Sequence, residues 1–198
     1  MNKKAFQAFW NKYYPDVLPI NYLFKLQLKQ RWLRIHSLPD AKRYAATTEE
    51  WNILLERQNT VFNDLMESHK QVVIVSGIYS NTEKEFDRAV FNDLPYFKTL
   101  HFKDLATIDM HKISADWADE GVKFTPCFVA ENYVPNGFDT ILKSIANDEW
   151  RLFFLIPDNK RIIAPYDGGV DIIFENESAL SFYKTKYKDW LSKREDGL

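Results

Sequence analysis

WRLFFLIPDNKRIIAPYDGGVDIIF, residues 150–174, sets two apolar runs on either side of a turn. Leu152 to Ile156 are apolar without interruption. That run is shorter than a typical helix and is closed by Pro157-Asp158-Asn159, so it reads as a strand covered on both faces. Pro157 fixes φ and Asp158 offers a side-chain acceptor to the backbone, which suits a turn. Ile162 and Ile163 resume the apolar run on the way back, so the stretch predicts a buried hairpin. Beyond it, Gly168 and Gly169, flanked by Asp167 and Asp171, predict a bulge or a close backbone approach.

Upstream, Phe138, Ile141, Leu142 and Ile145 form a short helical face behind the Asn136-Gly137 punctuation, and Phe124 to Val134 reads as extended. The strongest helix signal is Thr47-Thr48-Glu49-Glu50, a capping box, followed by Trp51, Leu54, Leu55, Gln58, Val61, Phe62, Leu65 and Met66 at spacings of three and four. Gln71 to Tyr79 is β-branched and predicts the first strand of the main sheet. Thr82 to Glu85 repeats the capping pattern ahead of a shorter helix bounded by Pro95. One strand is expected between 99 and 110. Near the N-terminus Phe6, Phe9, Trp10 and Tyr13 make an apolar helical stripe that Pro15 ends, Asn21 to Leu28 reads as helix, and Trp32 to Ser37 as extended. Downstream, Leu180, Tyr183, Tyr187, Trp190 and Leu191 share a helical face, with Ser178 as the expected cap and Lys193 and Arg194 near its end.

The chain has 198 residues, 45% hydrophobic and 16% aromatic, enough to bury a sizeable core in one domain. Its 26 basic and 28 acidic residues leave a net charge of -2, which provides no global attraction for nucleic acid or an anionic membrane. No segment has the unbroken apolar length of a signal or a membrane helix, so a soluble protein is expected. The one cysteine, Cys127, precludes an intrachain disulfide; it suits a reducing cytoplasm and reads as a small buried apolar group. Only 6 glycines and no repeats or linkers are present, so residues 1–198 are expected to form a single domain.

Two stretches have the chemistry of a site. Lys29 to Tyr44 carries Lys29, Arg31, Arg34, Lys42 and Arg43 against Asp40 alone, with His36 among them. Guanidinium groups bind carboxylate or phosphate bidentately and an imidazole can donate or shuttle a proton, so Arg34, His36 and Arg43 form a candidate anion site. The alternative is that Arg34 and Arg43 pair with internal carboxylates while the rest is solvated. In PYDGGVD, residues 165–171, Asp167 and Asp171 are the matching acids; two acids alone are too few oxygens for a hard-cation site. They are expected instead to cap backbone N–H groups or meet the arginines. No motif for a phosphate loop, a zinc site, a redox cysteine pair, a nucleophile elbow or any cofactor is visible, and no catalytic residue is assigned.

RWLRIHSLPDAKRYA with EEWNILLERQNTVFNDL, and PYDGGVDIIF with YKDWLSKREDGL, resemble a small uncharacterised bacterial protein family carrying a domain of unknown function, over roughly residues 15–67 and 120–198. The resemblance implies a compact bacterial cytoplasmic protein and brings no activity or site residue with it.

The expected fold is α+β, an antiparallel or mixed sheet of four to five strands with N- and C-terminal amphipathic helices packed on it. Three functions follow. The first is a protein-binding, immunity-type module without catalysis, motivated by the small size, the near-neutral charge and the abundance of Trp and Tyr. The second is a small enzyme or binding protein for an anionic metabolite, in which Arg34 and Arg43 hold the anion and His36 or Asp167 handles protons. The third, nucleic-acid binding through residues 29–43, is disfavoured by the overall charge.

Overall fold

Leu152–Ile156 (LFFLI) is buried at every position. Its alternate side chains point to opposite faces, and two consecutive phenylalanines anchor the two helical layers that enclose it. Phe153 meets Trp10 and Phe24, at ring centroid distances of 5.7 and 4.9 Å. Phe154 meets Phe62 and Phe138 on the other side, at 4.8 and 4.9 Å. Burying each ring contributes roughly 1.5–3 kcal/mol.

The structure, a computed structural model, describes residues 1–81, 97–113 and 121–194. Among the described residues the strands are β1 (Trp32–His36), β2 (Gln71–Ser80), β3 (Lys103–Asp104), β4 (Ile108–Asp109), β5 (Lys123–Asn132), β6 (Leu152–Ile156), β7 (Arg161–Tyr166) and β8 (Gly169–Ile173). They form one eight-stranded sheet in the order β1-β8-β7-β6-β2-β5-β3, with β4 also on β5, and the pairings are antiparallel. The α+β class is as expected; the strand number is larger than four to five. Two reasons account for the difference. β3 and β4 are two residues each, too short to show a period. The glycine pair does not bulge a continuing strand but reverses the chain: Tyr166 pairs with Gly169, leaving Asp167-Gly168 as a two-residue hairpin turn between β7 and β8. β2 is not the first strand of the sheet either, since β1 precedes it, and β2 lies centrally between β5 and β6.

Five α-helices lie among the described residues: α1 (Lys3–Tyr13), α2 (Phe24–Gln27), α3 (Thr48–Met66), α4 (Asp139–Ala146) and α5 (Glu177–Lys186). The helix expected after Thr82 lies outside the described residues. The Asn21 to Leu28 stretch divides into a 3₁₀ turn, Asn21–Leu23, and α2. In α3, Thr47 accepts from the Glu50 N–H at 3.2 Å, while the Glu50 carboxylate reaches the Ala46 N–H at 2.7 Å, one residue before the capping-box position. The cap of α5 is Asn176, accepting from Ala179 N–H at 2.9 Å, not Ser178. That helix ends at Lys186, so the cations in its last turn are Lys184 and Lys186 rather than Lys193 and Arg194.

One face of the sheet carries Leu33, Ile35, Ile74, Phe154, Ile163, Val170 and Ile172, packed against Val61, Phe62 and Leu65 of α3, Ile141, Leu142 and Ile145 of α4, and Tyr183 of α5. Cys127 is buried in this cluster. The other face carries Val73, Val75, Phe128, Phe153, Leu155, Ile162 and Ile173, covered by Phe6, Trp10 and Tyr14 of the N-terminal helix region and Phe24 of α2. The β6–β7 turn is tied to both layers: the Tyr14 hydroxyl donates to the Lys160 carbonyl at 2.7 Å, and the Asn159 amide donates to the Leu65 carbonyl at 2.8 Å. Among the described residues no helix is long and apolar enough to cross a membrane.

Candidate functional site

The face packed by α1 and α2 also carries Trp32, Arg34 and His36, because residues two apart on a strand share a side. Arg34, Asp171 and Ala164 are cross-strand partners on β1, β8 and β7, and His36, Gly169 and Tyr166 form the next row. An open cavity of about 490 Å³ lies at these rows, with Ala41, Arg43, Asp167 and Gly168 from the adjacent turns and Asn21, Tyr22, Lys25, Asp148 and Arg151 opposite. All five residues singled out from the sequence, Arg34, His36, Arg43, Asp167 and Asp171, line this one cavity.

Each arginine has its own aspartate. Arg34 grips Asp171 bidentately, Nε to Oδ1 at 2.6 Å and Nη2 to Oδ2 at 2.8 Å. The pair is largely buried, with side-chain exposures of 14% and 7%. Arg34 also lies over the rings of Tyr166 and Trp32, at 4.5 and 5.3 Å from their centroids. Burial works against its charge, but the Asp171 carboxylate more than compensates, so its pKa is raised. Two of its N–H groups are committed to Asp171; a guanidinium has more, and the remainder belong to a residue on the cavity wall. Arg43 donates from Nε to Asp167 Oδ2 at 2.5 Å, and the Tyr44 hydroxyl donates to the same oxygen at 3.0 Å. Unlike Arg34, Arg43 is 63% exposed at its side chain while Asp167 is 7% exposed. The acidic partner is thus fixed in the wall and the guanidinium stands at the mouth.

His36 adds a neutral imidazole. Burial, then the positive charges of Arg34 and Arg57, lowers its pKa, so the ring is uncharged at neutral pH. Its Nε2 is buried with no hydrogen-bond partner among the described residues. The Tyr166 phenol is pushed up to about 12, mainly by burial, and stays protonated as a donor. The lining holds four basic side chains, Lys25, Arg34, Arg43 and Arg151, against three acidic ones, Asp148, Asp167 and Asp171. Such a set can orient a carboxylate or phosphate through charge-assisted hydrogen bonds. Among the described residues no cluster of three or more His, Cys, Asp or Glu is placed to hold a metal ion.

The glycines are needed for this geometry. A Cβ on Gly169 would overlap the Ile35 carbonyl oxygen and lie 3.0 Å from the Tyr166 hydroxyl. Gly169→Ala is therefore expected to destabilise the fold by about 2 kcal/mol through overpacking. Urea unfolding checks this; a loss under about 0.5 kcal/mol would mean β1 and β8 can separate at that row without cost.

Tyr166, Lys25, Asp148, Arg151 and Ala164 were not readable as site residues. Tyr166 stands inside the PYDGG stretch and could have been noticed there, whereas Asp148 and Arg151, an exposed pair at 3.4 Å, have no sequence pattern beyond their spacing of three.

A sequence model of the family described as "Domain of unknown function (DUF3885)" matches residues 20–195. No curated protein and no solved structure is matched by the chain. The matched span takes in every strand and every residue of the cavity wall.

Proposed function

Since the chain belongs to the DUF3885 family of domains of unknown function, we propose from its geometry that it is a binding protein for a small anionic compound, whose carboxylate or phosphate group enters between Arg34 and Arg43. The observation that carries this reading is that two guanidiniums, each already oriented by an aspartate, stand with a neutral histidine around one open cavity. An oriented guanidinium loses little freedom on binding an oxyanion. The cavity volume, about 490 Å³, falls within the range of small-molecule sites. A bacterial cytoplasmic setting belongs to the same proposal; a single buried cysteine suits it.

The immunity-type reading calls for a contiguous exposed aromatic or acidic patch. Among the described residues, the exposed large apolar side chains Met1, Leu26, Tyr44, Tyr79, Val134 and Phe182 come from different stretches of the chain. For nucleic acid, the 29–43 strip is interrupted where Arg34, Lys42 and Arg43 are paired with Asp171, Glu50 and Asp167.

Calorimetric titration with inorganic phosphate, pyrophosphate and citrate tests the proposal. Saturable binding that weakens with salt is expected for at least one of them, and Arg43→Gln should lower the affinity about tenfold or more. Because Arg43 is exposed and the Tyr44 hydroxyl still donates to Asp167, the variant should fold. No saturable binding, or equal binding by the variant, would remove the proposal.

A further inference from the structure

Beside the polar cavity lies a second one of about 340 Å³, with Tyr22, Tyr79, Phe124, Trp150 and Phe153 in its lining. Asn21, Tyr22, Asp148 and Arg151 belong to both linings. Resting on the anion-binding reading, we infer that the two cavities form one bipartite site, and that its ligand is a small organic acid in which a flat aromatic group is attached to the carboxylate or phosphate head.

The aromatic cavity is built by a glycine. Gly77 sits in β2 between Val75 and Tyr79, and a Cβ there would overlap the Phe124 ring. Phe124 can therefore lie across the strand, where it meets Tyr79 at 4.8 Å between centroids. At its edge the Trp150–Arg151 stretch is tied to β2, since the Trp150 indole N–H donates to the Ser76 hydroxyl at 2.7 Å and that hydroxyl donates to the Arg151 carbonyl at 2.9 Å, with the indole itself packed near Phe97 on the other face of the sheet. Edges and faces of rings thus present a slot suited to another ring. Between slot and polar cavity stand Asp148 and Arg151, whose contact is 3.4 Å with side-chain exposures of 45% and 65%. An exposed pair of that kind contributes little stability, so its parting is a small obstacle to a ligand that spans both cavities. Arg151 would then add a cation to the head site.

The chemistry at the two ends selects the occupant: a cationic excess with aspartate-oriented guanidiniums at one, and at the other ring surface with Asp148 and Glu149 in the lining, which disfavours a second anionic group there. The test uses inorganic phosphate as the head, phenethyl alcohol as the tail, and phenyl phosphate, phenethyl phosphate and 3-phenylpropionate as joined probes, titrated calorimetrically. At least one joined probe is expected to bind tenfold or more tighter than phosphate, a gain of about 1.4 kcal/mol. Tyr79→Ala and, independently, Gly77→Ala should reduce the ratio of joined-probe to phosphate affinity towards one. If phosphate binds and Arg43→Gln weakens it while no joined probe gains over it, the bipartite site is overturned and the anion site stands. A gain that survives both variants also overturns it, because the ring is then elsewhere. If neither phosphate nor any joined probe binds, both readings fall together.

Discussion

Asp171→Ala is expected to lower the free energy of unfolding by about 3–5 kcal/mol, the usual consequence of removing one partner from a buried ion pair. Arg34 cannot follow the change by moving to solvent, because it is stacked over Tyr166 and Trp32 and only 14% of its side chain is exposed. Urea unfolding of the variant measures the loss. Replacing both members, Arg34→Met with Asp171→Leu, should cost much less than the single change, since no charge then remains buried. Phosphate added to the medium should recover part of the Asp171→Ala loss by taking the place of the missing carboxylate, an ordinary linkage effect. A loss below about 1 kcal/mol would mean that Arg34 is well solvated without Asp171, and that the pair is not what orients it.

Arg161→Met has a comparable expected effect, about 3 kcal/mol, for a reason unconnected with the cavity. Arg161 projects from β7 onto the opposite face, where it holds Glu175 bidentately at 2.8 and 2.9 Å, Glu67 at 2.8 Å and the Tyr183 hydroxyl at 3.3 Å. It thereby joins the end of β8, the end of α3 and the middle of α5. Tyr183 and Tyr187 complete the joint through the Asp64 carbonyl and carboxylate, at 3.1 and 2.9 Å. Burial pushes the Glu175 carboxyl up, but the Arg161 hydrogen bond outweighs it and holds the group below its ordinary value. A depressed carboxylate contributes stability above its unfolded value, about 4.3, and loses it as pH falls through the folded one. The gap between wild type and Arg161→Met should therefore be full at pH 7 and narrow below about pH 4. A gap that stayed constant into acid would show that the methionine fails for packing reasons alone. Anion binding at the cavity should be untouched by this variant where it remains folded.

The two-sided burial of Leu152–Ile156 is legible in the sequence because a five-residue apolar run has no polar side to spare. The long helix α3 is legible from its cap and its spacing. The β7–β8 hairpin is not. Gly168 and Gly169 signal an unusual backbone in either case, and a bulge or a two-residue reversal differ only in which residue pairs with Tyr166, a tertiary fact. The site divides in the same way. Arg34, His36 and Arg43 are visible as a charge cluster, and Asp167 and Asp171 as the acids nearest the glycines. Their meeting depends on β1 and β8 being neighbours in register, 137 residues apart for Arg34 and Asp171. Lys25 and Arg151 join the same wall from α2 and from the connection before β6, with no local signal that could place them there.

Pairing and binding are compatible in this arrangement because an aspartate occupies only part of each guanidinium. That partition makes one observation decisive. The Nε–H resonances of Arg34, Arg43 and Arg161, followed by nitrogen-detected NMR during titration with pyrophosphate at constant ionic strength, distinguish the cavity from the structural joint on the other face. The expected result is saturable shifts at Arg34 and Arg43 with one common dissociation constant, while Arg161 stays fixed. Shifts absent at Arg34 and Arg43, or shared by all three without saturation, would contradict an anion site between the two arginines.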